Sequence, residues 1–285
     1  MSNSALLFTM KLAFSSNAFK KFSLERSISL ISQIGYSAIE ILCDVPHAYP
    51  PVKQDVLRIR DLLSKHNLEI SNLNAFTLHA IKDTYHPSWI EDIRKLRKIR
   101  SEHTKNCMDL AKKLRCRNIS TEAGGPFQNN TGNQALMERR FRNEINALAR
   151  FAEEREIKVL IEPEPGLLLE TSWDFLTFMK TVESEYVRLN FDIAHFYCAG
   201  EDPAEVVHRL SDFIEHFHLS DIAINRFHNH LIPGEGSIDF KSVFKAITDF
   251  GYKGFVTVEL YPYQNNPVSA ATRAYEFLRD LEVDL

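Results

Sequence analysis

Eight short runs of apolar and β-branched residues recur along the chain, and amphipathic helical patterns fill most of the intervals between them. This alternation is the α/β signature. Strands are predicted over residues 11–15, 38–43, 69–75, 118–121, 158–162, 188–192, 214–218 and 255–259. No low-complexity linker and no shift in composition marks a domain boundary. Eight βα units in one continuous stretch therefore predict α/β architecture of one kind, a single (β/α)8 TIM barrel over residues 10–285, with residues 1–9 as an N-terminal extension. An open doubly wound sheet is the competing architecture, but no G-x-G-x-x-G or G-x-x-x-x-G-K-[ST] follows an early strand.

The helical intervals carry their own punctuation. Ser23-x-x-Arg26 leads into an Ile/Leu face, Pro87 opens a long segment through Leu114, and Asp239 starts a helix that ends before Gly251. The Lys- and Arg-rich stretch from Glu91 to Arg100 reads as the solvated side of an amphipathic helix, with Ile93, Leu96 and Ile99 on its apolar face. Residues 124–132, rich in Gly, Asn and Gln, read as a long loop after the fourth strand.

Composition removes several classes of function. Lys plus Arg number 34 against 38 Asp plus Glu, a formal charge of −4, so no global positive field exists to attract nucleic acid. No apolar run approaches the roughly 18–20 residues of a membrane helix. Four cysteines are scattered without a C-x-x-C pair, and no signal segment opens the chain, which fits reduced thiols and a cytoplasmic location.

Charged residues fall at the ends of the last four strands. The fifth ends in Glu162, the sixth in Asp192 with His195 three residues on, the seventh in His218, and the eighth in Glu259. Parallel barrel strands share one C-terminal face, where active sites of this architecture lie, so these groups meet in one neighbourhood. Three carboxylates sharing a desolvated site repel one another unless protons or a cation neutralise them, and a divalent metal is the simplest remedy. The oxygen-rich donor set with one imidazole suits Mn²⁺ first, and accommodates Mg²⁺, Co²⁺, Fe²⁺ or Zn²⁺. His216 and His218 lie two apart on one strand and so share a face. His218, at the strand end, is the expected ligand, and His216 an interior layer residue.

Together, Glu162 after its apolar run, Phe191-Asp192-Ile193-Ala194-His195, His216-Phe217-His218-Leu219-Ser220-Asp221, His230-Leu231-Ile232-Pro233-Gly234-Glu235-Gly236 and Val256-Thr257-Val258-Glu259-Leu260 resemble the xylose isomerase-like TIM barrel superfamily. The likeness is closer to its sugar isomerase and epimerase branch, which holds ketose 3-epimerases, hydroxypyruvate isomerase and inosose dehydratase. The resemblance implies a metal held by Glu162, Asp192, His218 and Glu259. It implies that Glu162 and Glu259 also exchange protons with a substrate carbon and that His195 binds substrate oxygens. Arg226 is matched to an arginine the epimerases use on the sugar. Glu164, His79 and His230 complete the expected substrate-binding group, and a homo-oligomer is the expectation at the level of the family.

Such a site abstracts a proton beside a carbonyl and stabilises the enediolate that forms. Two carboxylates on opposite faces give epimerisation; one base moving a proton between adjacent carbons gives aldose–ketose isomerisation. A small unphosphorylated sugar or polyol is the expected partner. Tyr261, Tyr263, Phe127, Phe196, Tyr197 and Trp173 offer aromatic surface near loop ends, with core packing as their other role. Three alternatives stand beside this reading: a cyclic-polyol dehydratase on the same groups, a zinc-dependent phosphodiesterase like the superfamily's apurinic-site endonucleases, and a catalytically silent ligand-binding barrel.

Overall fold

The computed structural model describes residues 11–127 and 133–283. Its strands are β1 (Lys11–Ser15), β2 (Ala38–Leu42), β3 (Glu69–Asn74), β4 (Asn118–Glu122), β5 (Lys158–Glu162), β6 (Val187–Asp192), β7 (Ile214–Leu219) and β8 (Phe255–Val258). They form a closed barrel in sequence order, every neighbouring pair parallel, with β1 bonded to both β2 and β8. Each predicted strand has its counterpart, with ends displaced by at most one residue. The expected extension at residues 1–9 and positions 128–132 of the expected loop lie outside the described residues.

The helices are α1 (Leu24–Ile34), α2 (Val56–Lys65), α3 (Arg94–Leu114), α4 (Gln134–Arg155), α5 (Ser172–Met179), α6 (Ile193–Cys198), α7 (Pro203–Leu210), α8 (Phe240–Asp249) and α9 (Pro267–Val283). Short polar side chains start several of them. Ser23 accepts a bond from the Arg26 N–H at α1, Asp239 from the Ser242 N–H at α8, and Thr171 and Asp174 form a reciprocal capping box at α5. Among the described residues no helix is long and apolar enough to cross a membrane, and all four cysteines are free thiols.

The helix expected from Pro87 begins instead at Arg94. Carboxylates tie the preceding segment into a compact loop: Asp83 accepts from the Tyr85 and His86 N–H groups, and Glu91 from the Ser88 N–H. Arg100, expected on the solvated face, is fully buried. Its guanidinium collects the carbonyls of Pro87 and Phe76, at 2.7 Å each, and lies 3.5 Å from the Glu122 carboxylate. A long cation is stable there because the β3–α3 loop and the end of β4 present oxygen acceptors to it.

Strand alternation divides the barrel into two buried faces. Ile39, Ile41, Leu73, Ile119, Val159, Ile161, Phe191, Phe217 and Val258 join the apolar layer under the helices. The alternate residues are polar and equally buried: Glu40, Asn72, Asn74, Ser120, Glu162, Asn190, Asp192, His216, His218 and Thr257. They are joined by hydrogen bonds across strands. His216 reaches Asn190 Oδ1 at 2.7 Å and Thr257 Oγ1 at 2.8 Å, and Thr257 meets Ser71 at 3.0 Å. His216 is thus the interior layer residue expected from its position. The loop after β7 is closed by Asp221, whose carboxylate accepts the N–H groups of Ile222, Gly234, Gly236 and Ile238. Gly236 has no substitute there, since a Cβ would stand 2.3 Å from Asp221 Oδ1.

Candidate metal centre

The strand register delivers four side chains to one point. Glu122 pairs with Glu162 across β4 and β5, and Asp192 with His218 across β6 and β7. Glu259 follows the last residue of β8, its N–H bonded to the Leu219 carbonyl. One ligand atom from each of Glu162, Asp192, His218 and Glu259 lies within 4.8 Å of all the others, and all four residues are buried. His218 Nδ1 stands 3.0 Å from Glu162 Oε1, 3.8 Å from Glu259 Oε1 and 3.9 Å from Asp192 Oδ2.

Charge in this cluster is unevenly held. Burial pushes the Glu162 and Glu259 carboxyls up, Glu259 well above the usual carboxylate range, with the His218 charge acting against burial in both. Burial pushes Asp192 in the same direction, but the imidazoles of His195, His230 and His218 reverse it and hold the group at about 2. Burial lowers His218, yet Glu40, Glu162 and Glu259 together raise it well above its ordinary value.

The donor set fits a divalent cation. Asp192 Oδ2 is buried with no hydrogen-bond partner, an acceptor left for a ligand to satisfy. Three carboxylates and one imidazole supply the oxygen-rich set that Mn²⁺, Mg²⁺, Co²⁺, Fe²⁺ and Zn²⁺ all accept.

A cavity of about 140 Å³ opens beside the cluster, and Glu162, Glu164, His195, His79 and Glu259 are among the residues that line it. His195 is fixed by its Nδ1 on the Pro163 carbonyl at 2.9 Å, and burial lowers it to about 3, so it is neutral. Glu164 accepts the Tyr85 hydroxyl at 2.5 Å. His230 is fully buried, its Nδ1 3.0 Å from the Glu259 carbonyl and its Nε2 3.2 Å from His228 Nε2. With His195 and His228 it makes a second group of three close ligand atoms. His230 stands behind His228, which reaches the cavity.

Arg226 is not brought to the cavity. Its backbone has φ of +59°, and its guanidinium folds over the Tyr197 ring, 4.4 Å from the centroid, while Nη1 donates to the Tyr197 carbonyl. Of the expected aromatic surface only Tyr261 lines the cavity; Phe196 is buried in the core and Trp173 is exposed beneath Arg209. Phe76 and Tyr85 form the aromatic wall instead. Asn17, Lys20 and Asn74 also reach the site, from the first and third βα units, and were not singled out in the sequence. Asn17 and Asn74 donate to Glu259 Oε1 at 2.8 and 3.4 Å. Burial lowers the Lys20 ammonium, with Asp44 and Glu259 opposing the shift. The signal for these residues was a polar side chain at an interior position of a strand or just beyond its C-terminal end.

A closed barrel of eight parallel strands, with three carboxylates and an imidazole converging at its C-terminal mouth, defines a (β/α)8 protein with a candidate metal centre. The chain belongs to the xylose isomerase-like TIM barrel family, whose model matches residues 28–281. An inosose dehydratase of Clostridium beijerinckii is 27% identical over 154 residues, covering 48% of this chain and 52% of that protein. The chain thus spans about half the length of the curated relatives it matches. A D-tagatose 3-epimerase-like protein superposes with a TM-score of 0.81 at 23% identity, over 95% of this chain and 97% of that one. The IolI protein, solved with a bound zinc atom, gives 0.79 at 19% identity, over 96% and 99%. At these identities the two structures establish the fold.

Proposed function

We propose that the protein is a divalent-metal-dependent isomerase or epimerase of a small unphosphorylated sugar or polyol, with Glu162 and Glu259 as the acid/base pair. One observation carries the reading: four ligand atoms within 4.8 Å of one another at the edge of a cavity that two of the same carboxylates line. Glu162, Asp192, His218 and Glu259 would hold the cation, Mn²⁺ first among the ions that suit them. When bound, the metal supplies Lewis-acid stabilisation of the oxyanion that proton removal creates.

The chain's own residues do the rest. Glu162, from β5, and Glu259, beyond β8, take and return the proton at the substrate carbon; burial raises both toward the range in which a carboxylate is an effective base. Asn17 and Asn74 orient Glu259 through Oε1, and Asn190 donates to Glu162 Oε2 at 2.8 Å. Neutral His195, fixed through Nδ1, presents Nε2 to substrate oxygens. Phe76, Tyr85 and Tyr261 wall the cavity and exclude water from the reacting carbon. All these residues come from one chain.

Dehydration of a cyclic polyol is the second reading, favoured by the inosose dehydratase relatives and by Glu164, a third carboxyl on the cavity wall with a proton-bearing partner in Tyr85. Phosphodiester hydrolysis has less support, because a cavity lined by Glu162, Glu164 and Glu259 in a chain of charge −4 repels a phosphate backbone.

The test is metal analysis of the purified protein, followed by incubation of the metal-loaded enzyme with ketoses and inososes in D₂O. Deuterium in recovered substrate or in an epimer supports proton transfer at carbon. Loss of water without exchange favours the dehydratase, and neither product from any substrate, with metal bound, overturns the assignment.

A further inference from the structure

One fully buried carboxylate at the centre of the barrel has no part in the proton transfer described above. Glu40, the middle residue of β2, places Oε2 2.7 Å from His218 Nε2, on the side of the ring turned away from the ligand cluster. The other ring nitrogen, Nδ1, faces Glu162, Glu259 and Asp192. Glu40 is itself held as an acceptor. Asn72 donates to its Oε2 at 2.7 Å and Asn74 to its Oε1 at 3.2 Å, while Asn118 fixes Asn72 through its Oδ1 at 2.8 Å. Both Glu40 oxygens accept amide N–H groups, so the arrangement places an acceptor, Oε2, opposite the Nε2–H of the ring.

We propose that Glu40 is the positioning residue of the metal centre, holding the Nε2–H of His218 so that Nδ1 is the nitrogen that binds the cation. The proposal rests on the reading of Glu162, Asp192, His218 and Glu259 as ligands. A cation at the cluster would take the place of the Nδ1–Glu162 contact, while Nε2 keeps its bond to Glu40. A carboxylate behind a ligating imidazole fixes its tautomer and ring orientation and raises its basicity, and removing such a partner typically costs about 10–100-fold in metal affinity. Glu40 also shares the Asn74 amide with Glu259, so the same side chain steadies a second ligand.

The experiment titrates the chelator-treated 285-residue chain with Co²⁺, by calorimetry and by the visible absorption of the bound ion. Glu40→Gln keeps the volume and one acceptor oxygen but removes the charge; Glu40→Leu removes the acceptor as well. Circular dichroism and cooperative melting establish that each variant is folded. Glu40→Gln should bind Co²⁺ about 10–100-fold more weakly than the parent chain. In the Zn²⁺-loaded, ¹⁵N-histidine-labelled protein, His218 should show a protonated Nε2 and a metal-bound Nδ1. The Nε2 proton should lie far downfield and move upfield in Glu40→Gln. Undiminished Co²⁺ affinity in folded Glu40→Gln, or metal on Nε2, overturns the proposal. Asp192→Asn separates the two levels of inference. If the parent chain binds no Co²⁺, or Asp192→Asn binds as tightly as the parent, the ligand reading falls and this proposal with it. If Asp192→Asn loses the ion and Glu40→Gln does not, only the role of Glu40 falls. If Glu40→Leu alone fails to fold, Glu40→Gln still decides.

Discussion

Asp192 is the residue on which the metal reading is most exposed. Its Oδ2 is buried without a hydrogen-bond partner, the acceptor that a cation would satisfy. Asp192→Asn preserves shape while removing a ligand charge, so Co²⁺ affinity should fall by more than the ~10–100-fold expected when an outer partner is lost. Isothermal titration checks this. For the chemistry itself, Glu162→Gln and Glu259→Gln, measured with metal bound, should each lower turnover about 10²–10⁴-fold, the usual contribution of a positioned acid or base. Full turnover in either metal-loaded variant would rule out the two-carboxylate mechanism. These residues were legible because each ends an apolar run, where a barrel strand delivers its last side chain to the mouth. Glu40 was not. Within Ala38-Ile39-Glu40-Ile41-Leu42 it reads as one polar residue in an alternating strand, and only closure of the barrel turns that face inward.

At the level of elements, chain order and strand limits followed from hydrophobic pattern alone, because a parallel strand buried on both faces leaves little freedom in where its apolar run begins and ends. Helix starts with a polar cap, such as Ser23 and Asp239, were equally readable. The loops were not, since their paths depend on distant acceptors: the segment before α3 is set by Asp83, Glu91 and the buried Arg100. Arg226 escaped for the same reason, its left-handed backbone turning it onto Tyr197. The loop after β7 shows what such a connection costs to lose. Four N–H groups converge on Asp221, and Asp221→Ala would leave the buried donors of Ile222 and Ile238 unpaired. A destabilisation of about 2–4 kcal/mol is expected in chemical denaturation. Faster amide exchange over residues 222–238, which carry His228 and His230, should accompany it.

For the molecule as a whole, the buried histidines set the response to acid. His103, a buried residue of α3, is held down at about 3 by burial and by the Arg100 charge, with Asp44 opposing. Its folded value lies below the unfolded value of 6.5, so between these limits the unfolded chain binds a proton that the folded chain does not. Stability from this group is complete above pH 6.5 and is lost as the pH falls toward 3. Denaturation of the parent chain and His103→Gln at pH 7, 6, 5 and 4 measures it. The parent's stability should fall more steeply, by up to about 1.4 kcal/mol per pH unit. Parallel curves would show that His103 is not buried in its neutral form.

All four candidate metal ligands come from β5 to β8, whereas the groups that brace them include Glu40, Asn17 and Asn74 from the first three βα units. The two halves are therefore co-authors of one site, joined through His218–Glu40, Glu259–Asn17 and Glu259–Asn74. For recombination between relatives this sets a rule of inheritance: a chimera cut between β4 and β5 keeps its centre only when both parents carry matching partners across the cut, however well the barrel itself closes.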